Sequence, residues 1–162
     1  MSVLTCSEIP LKSLQALLAR FSIKLERVDD GQDIPGSWFG EPEAGIISNK
    51  LYVRGDTPVH SALHESCHYI CMSGDRRDKL HTNAGGGYDE ENGVCFLSIL
   101  LSDFIDDFSR QRMFKDMDEW GYTFRLGSSK AWFQEDATDA RDWLILHGLI
   151  SNALSPCWKL RQ

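Results

Sequence analysis

The five residues His64-Glu65-Ser66-Cys67-His68 constrain this chain more than any other stretch. They spell H-E-x-x-H. On a helix, positions i and i+4 share a face, so both imidazoles reach one ion. The glutamate beside them is then placed to hold or deprotonate a metal-bound water. The pattern has this meaning only on a helix, and the surrounding residues supply one. Gly55-Asp56-Thr57 offers N-cap chemistry, and Pro58 suits a first helical turn, where a missing N–H costs nothing. No residue from Pro58 to Met72 breaks a helix, and Val59, Leu63, Cys67, Ile70 and Cys71 recur at helical spacing. Histidine is scarce, five in all, yet His60, His64 and His68 fall within nine residues.

Two histidines hold a metal weakly, and a catalytic zinc normally takes three protein donors plus a water. The sequence offers carboxylates for the third place. Asp89, Glu90 and Glu91 open a second predicted helix after a glycine-rich connection. Glu91 stacks one turn before Cys95, and Glu90 one turn before Gly93 and Val94. Either glutamate serves as third donor, and periodicity does not decide the pair. Asp89 suits the orienting of a histidine better. Gly93 would let the two helices approach closely. The expected ion is a divalent metal, zinc first, with iron(II) as the other candidate. His60 continues the His64–His68 ladder, but three successive turns span too far for one ion, so it reads as a supporting residue. His81 lies in the connection, as a replacement ligand, a substrate-facing acid or a solvated loop residue. His147 sits near the end of the last helix, where a cation suits the dipole.

Around the motif the chain reads as helix, strands, then helices. Leu11, Leu14, Leu17, Leu18 and Phe21 mark a helix over Ile9–Phe21. Alternation over Phe21–Val28 marks a half-buried strand. Ala44–Ile47 and Leu51–Val53 form a β-hairpin that runs directly into the motif helix. In such an arrangement the sheet packs on one side of the helix, and its edge strand can border the metal cleft. Residues 73–87, with the triplet Gly85-Gly86-Gly87, read as a turn or a mobile flap. A second long helix follows from Tyr88, a third spans Arg110–Trp120, and Ser128–Gly148 is helical with a break near Asp136. The segment 121–127 between them is a short extended link. The fold class expected is α+β, zincin-like, with a small antiparallel sheet and a mainly helical remainder, in one domain over residues 1–162.

Composition narrows the partners. Lysine and arginine total 17 against 24 aspartates and glutamates, a formal charge of -7. A nucleic-acid or anionic-membrane partner would want a basic face, so neither is expected. The most apolar run, Val94–Leu101, is far too short for a membrane span. Glu8, Pro10 and Lys12 interrupt any secretory-signal layout. The five cysteines are odd in number, irregularly spaced and lack CxxC, so they read as reduced, mostly buried thiols of a cytoplasmic protein. A protein or peptide substrate fits this picture.

The stretch Ser61-Ala62-Leu63-His64-Glu65-Ser66-Cys67-His68-Tyr69, followed by Gly74 and then Arg76-Arg77, resembles the elongation factor P hydroxylase family. The resemblance spans roughly a quarter of the chain, and Trp120–Phe133 has no counterpart in it. It implies a zincin-like fold and a metal held by His64, His68 and a downstream glutamate. It also implies Glu65 as the adjacent acid, and Arg76 and Arg77 as a matching pair of unassigned role. H-E-x-x-H followed by a glutamate on a later helix is shared with zinc peptidases too.

Three functions follow as expectations. The first is a zinc-type, peptidase-like hydrolase in which Glu65 is the general base and Tyr88, His81 or Arg76 steadies the oxyanion. The second is a metal-dependent protein hydroxylase, since two histidines and a carboxylate also suit non-haem iron. The third is a non-catalytic metal-binding scaffold.

Overall fold

The computed structural model describes residues 2–162. After a 3-10 turn at Cys6–Glu8, the elements run α1 Leu11–Ala19, β1 Lys24–Arg27, β2 Gly45–Ile47, β3 Lys50–Val53 and α2 Val59–Cys71. The short α3 Gly74–Arg77 follows, then α4 Tyr88–Ser102, α5 Arg110–Trp120, α6 Ser129–Glu135 and α7 Thr138–Leu146. The protein is thus a mixed α/β structure, mainly helical, with one small three-stranded sheet and a continuous apolar core. The break expected near Asp136 separates α6 from α7. No helix is long and apolar enough to cross a membrane among the described residues.

The sheet differs from expectation. Its order is β1-β3-β2, and only the β2–β3 hairpin is antiparallel. β1 lies parallel to β3, with Leu25 opposite Leu51 and Arg27 opposite Val53. Alternation marked β1 as a strand, but it carries no information on direction, which depends on how residues 28–44 cross back to the hairpin. The outer edge of β2 is also occupied. Ile46 N donates to Gly36 O (3.4 Å), Thr82 N to Ile46 O (2.9 Å) and Ser48 N to Leu80 O (2.8 Å). The protein's own loops therefore cover the edge strand that was expected to border the cleft. Gly45 makes this possible. A Cβ there would fall 1.9 Å from the Pro35 carbonyl oxygen. Residues 35–37 close over the strand only because no side chain stands in the way. Gly45→Ala is expected to push this segment off the edge and to destabilise the fold by about 2 kcal/mol or more, read by urea unfolding.

Every residue of α2 is buried. Such a helix needs its backbone ends closed by protein rather than water. The N-terminus does not use the capping expected of Gly55-Asp56-Thr57. Thr57 Oγ1 instead accepts from Arg54 N (2.9 Å), Pro58 takes the N-cap position, and Val59 N donates to Leu4 O (3.0 Å). The C-terminus is closed by two arginines. Arg77 Nη1 donates to Tyr69 O and Met72 O, each 2.8 Å. Arg161 N donates to Ile70 O (3.0 Å) and its Nη1 to Cys71 O (3.1 Å). Arg77 is buried and also donates to the Arg161 carbonyl, so it is a structural clamp and not a solvated helix-end charge.

α4 packs along α2 on one side and against α7 on the other. Gly93 serves the second contact, contrary to the sequence reading. A Cβ at Gly93 would meet the Trp143 ring at 2.7 Å, so this glycine admits α7 rather than α2.

Candidate metal centre

α2 and α4 bring three donors together. His64 Nε2 lies 3.1 Å from Glu91 Oε1, and His68 Nε2 lies 3.2 Å from Glu91 Oε2. The two Nε2 atoms are 3.2 Å apart. Donors on a tetrahedron with zinc–ligand arms of about 2.0–2.1 Å stand about 3.3 Å from one another. The two imidazoles stand at this spacing, and Glu91 offers one oxygen to each of them, so the three residues are grouped closely enough to share one ion. The Nδ1 atoms of both histidines are buried with no hydrogen-bond partner, so only the Nε2 sides are engaged.

Glu90 is not part of this group. Its carboxylate turns to Arg76, which it meets through two bonds of 2.7 and 2.8 Å, and to Arg161 Nη1 at 3.0 Å. Of the two glutamates named from sequence, Glu91 meets the histidines and Glu90 does not. Adjacent helical residues diverge by about 100°, so one position faces α2 and the next faces the arginines. Arg76 also donates to Ala84 O (2.7 Å), which ties the glycine-rich connection to α4. This position rules Arg76 out as a free oxyanion donor. Gly86 completes the turn, with φ at +101° and Glu90 Oε2 only 2.3 Å from where a Cβ would stand. Tyr88 is exposed on the first turn of α4 and lines a different cleft with Arg125 and Asp136. His81 pairs across a β-bridge with Ile47, and its Nδ1 meets Thr82 Oγ1 at 2.8 Å. It is not among the residues lining the clefts at the cluster. His147 closes α7 and packs on Trp143, with ring centroids 4.4 Å apart. Burial lowers its pKa, with Arg161 adding to that.

Electrostatics follow from the cluster's burial. At His64 burial opposes protonation, but the neighbouring Cys95 thiol and Glu91 carboxylate outweigh it and raise the pKa. His68, desolvated and facing His64, drops to about 4. Burial alone would raise the Glu91 pKa, and the two imidazoles reverse that and hold it below the ordinary range. Glu65 is buried beside both ligands and makes no side-chain hydrogen bond among the described residues. Burial pushes its carboxyl up to about 7, with His64 opposing and Glu43 and Glu91 reinforcing. Glu65 also lines the wall of an open cleft beside the two histidines.

Several neighbours were not singled out from sequence. Cys95, named from sequence only for its position one turn after Glu91 and not as a donor, groups with His64 and Glu91. That spacing was visible in the sequence and is the signal that could have found it. Tyr122, in the extended link after α5, sets its ring edge-on to His64 at 5.7 Å and its hydroxyl 3.3 Å from His60 Nδ1. Trp38 and Phe39, both exposed, stand at the rim. Two clefts meet at the cluster, and His64 and Glu91 belong to both. One, of about 260 Å³, is lined by Trp38, Phe39, Glu65, His68 and the loop 82–86. The other, of about 310 Å³, is lined by Phe39, Glu43, Trp120, Gly121 and Tyr122.

His60 is fully buried against Tyr122 and Trp120, and burial, aided by the charge of His64, lowers its pKa to about 3. The folded state thus holds His60 neutral, while the unfolded chain protonates it near 6.5. Its contribution to stability is complete above pH 6.5 and is lost as pH falls from there toward 3, at up to about 1.4 kcal/mol per pH unit. His60→Gln is expected to remove this slope. Urea unfolding of chelator-treated wild type and variant at pH 7 and 4.5 should show wild type losing about 2 kcal/mol more.

Comparison of the chain with protein-family models, with curated proteins and with solved structures finds no match.

Proposed function

We propose that this protein is a metal-dependent hydrolase of zincin-like plan, acting on a peptide or amide bond in a protein or peptide. The observation that carries the reading is the grouping of His64 Nε2 and His68 Nε2, 3.2 Å apart, with one Glu91 oxygen 3.1 Å from the first and the other 3.2 Å from the second. That grouping suits one zinc ion, with room for a water in the fourth position. A zinc ion bound there would supply Lewis acidity and a water whose pKa is about 7. His64, His68 and Glu91 would fix the ion. Glu65 would accept the water's proton and pass it to the leaving amine, since it is buried beside both histidines on α2. Phe39, Trp120 and Tyr122 would restrict water around the bound substrate.

Glu65→Gln tests this directly. Turnover of a peptide substrate should fall about 1,000-fold, within the range that a general base contributes, while zinc content stays at one per chain. An unchanged rate in that variant sinks the mechanism.

A second reading is a protein hydroxylase like the elongation factor P hydroxylase family, since the same three donors also suit iron(II). Elemental analysis of untagged protein, prepared with and without air, separates the two. Zinc in both preparations favours the hydrolase. Iron from the anaerobic one, with oxygen consumed in the presence of a protein substrate, favours the hydroxylase. Zinc without any Glu65-dependent reaction would leave a metal-binding scaffold.

A further inference from the structure

The cleft beneath Trp120 carries a carboxyl group, Glu43, that has no ion pair with a lysine or arginine among the described residues. Glu43 is half-buried in its wall, with Trp120 lining the same cleft. Glu41, two residues earlier, is by contrast paired with Arg54 at 3.1 Å. Burial raises the Glu43 pKa, with Trp120 and His64 opposing. Glu91 lines the same cleft, and so do the rings of Phe39, Trp120 and Tyr122. A carboxylate framed by aromatic rings, as Glu43 is here, is complementary to an organic cation, through ion pairing and cation–π attraction together.

The sealed edge of β2 sharpens this. An extended peptide would ordinarily be held across such a site by adding a strand to an open sheet edge. Here the hydrogen-bonding groups of Ile46 and Ser48 are spent on Gly36, Thr82 and Leu80. Affinity must then come from side-chain groups in small clefts beside the donors. Glu43 is the charged one of these that is neither a candidate ligand nor beside one in sequence.

We propose that the Glu43 cleft seats a primary ammonium group of the substrate, with Glu43 as its counter-ion, next to the His64–His68–Glu91 cluster. The group belongs either to the amino terminus of a peptide or to a lysine side chain. The proposal deepens the functional reading above and rests on it for the chemistry that follows binding, but amine binding itself is measurable without a metal.

Calorimetric titration with three small amides provides the test. Leucinamide carries an α-ammonium, N-acetyl-lysinamide carries only the side-chain ammonium, and N-acetyl-leucinamide carries neither. Each is titrated into zinc-loaded and chelator-treated wild type and Glu43→Gln, with zinc content measured on the same samples. Saturable binding of one amine or both, at least about 10-fold weaker in Glu43→Gln, is expected. Whichever amine binds identifies the source of the ammonium group. N-acetyl-leucinamide should not compete. Binding that is equal in Glu43→Gln, equal for the uncharged amide, or absent for both amines overturns the proposal. Zinc bound without amine binding defeats this proposal alone. Amine binding without zinc defeats the functional reading alone.

Discussion

Glu91→Gln should lower zinc affinity by more than about 100-fold and leave the protein folded. Removing a group that merely supports a metal ligand typically costs 10- to 100-fold, so loss of a direct donor should exceed that. The side chain is half-exposed, so little packing is lost with its charge. The amide offers one neutral oxygen where the carboxylate faces both Nε2 atoms with two. Competition against a fluorescent zinc chelator gives the affinity, and circular dichroism reports the fold. Wild-type affinity in this variant would remove Glu91 from the metal site.

The neighbouring residue should behave in the opposite way. Glu90→Gln should keep one zinc per chain and lose stability, by about 2–4 kcal/mol. Breaking a buried ion pair costs about 3–5 kcal/mol. The lower figure applies here because Arg76 is more than a third exposed and water screens part of the loss. In a chain of this length that corresponds to a fall in Tm of roughly 5–12 °C. Arg76 and Arg161 both lose their carboxylate, and with it the link between the loop at Ala84, the end of α2 and the start of α4. Thermal unfolding monitored at 222 nm, beside the zinc competition, decides the matter. A Glu90 variant that melts normally but loses zinc would exchange the roles of the two glutamates.

That contrast marks the limit of what periodicity tells. The sequence placed α2, α5 and the start of α4 where they lie, because long apolar spacing and glycine or proline punctuation are local signals, but its apolar stripe ran on through Phe104, Ile105 and Phe108, beyond the end of α4 at Ser102. It put His64, His68 and a following carboxylate within reach of each other. It left Glu90 and Glu91 open, because the choice depends on the rotation of α4 about its own axis. That rotation is set by the Trp143 ring against Gly93 and by the two arginines that hold Glu90. Neither partner is near in sequence. The same holds for Tyr122 and Glu43. Each lies in an irregular segment with no spacing to read, and each reaches the cluster only because α5 ends, and the loop before β2 passes, beside α2. The parallel pairing of β1 likewise depends on a connection whose path no local signal encodes.

The two halves of the candidate centre should also differ in how readily their backbones open. The amides of α2 are buried on every side and anchored at both ends by distant residues. They should exchange with deuterium only when the whole molecule unfolds. The loop 82–86 is largely exposed; its first amide, Thr82 N, is tied to Ile46 O, and beyond it the loop is held by Arg76 and by the Asn83 side chain on Gly85 N. Its amides should exchange orders of magnitude faster, through local opening alone. An ion would then enter and leave past this loop at a rate unrelated to global stability, while the histidines that receive it keep their geometry as long as the protein stays folded.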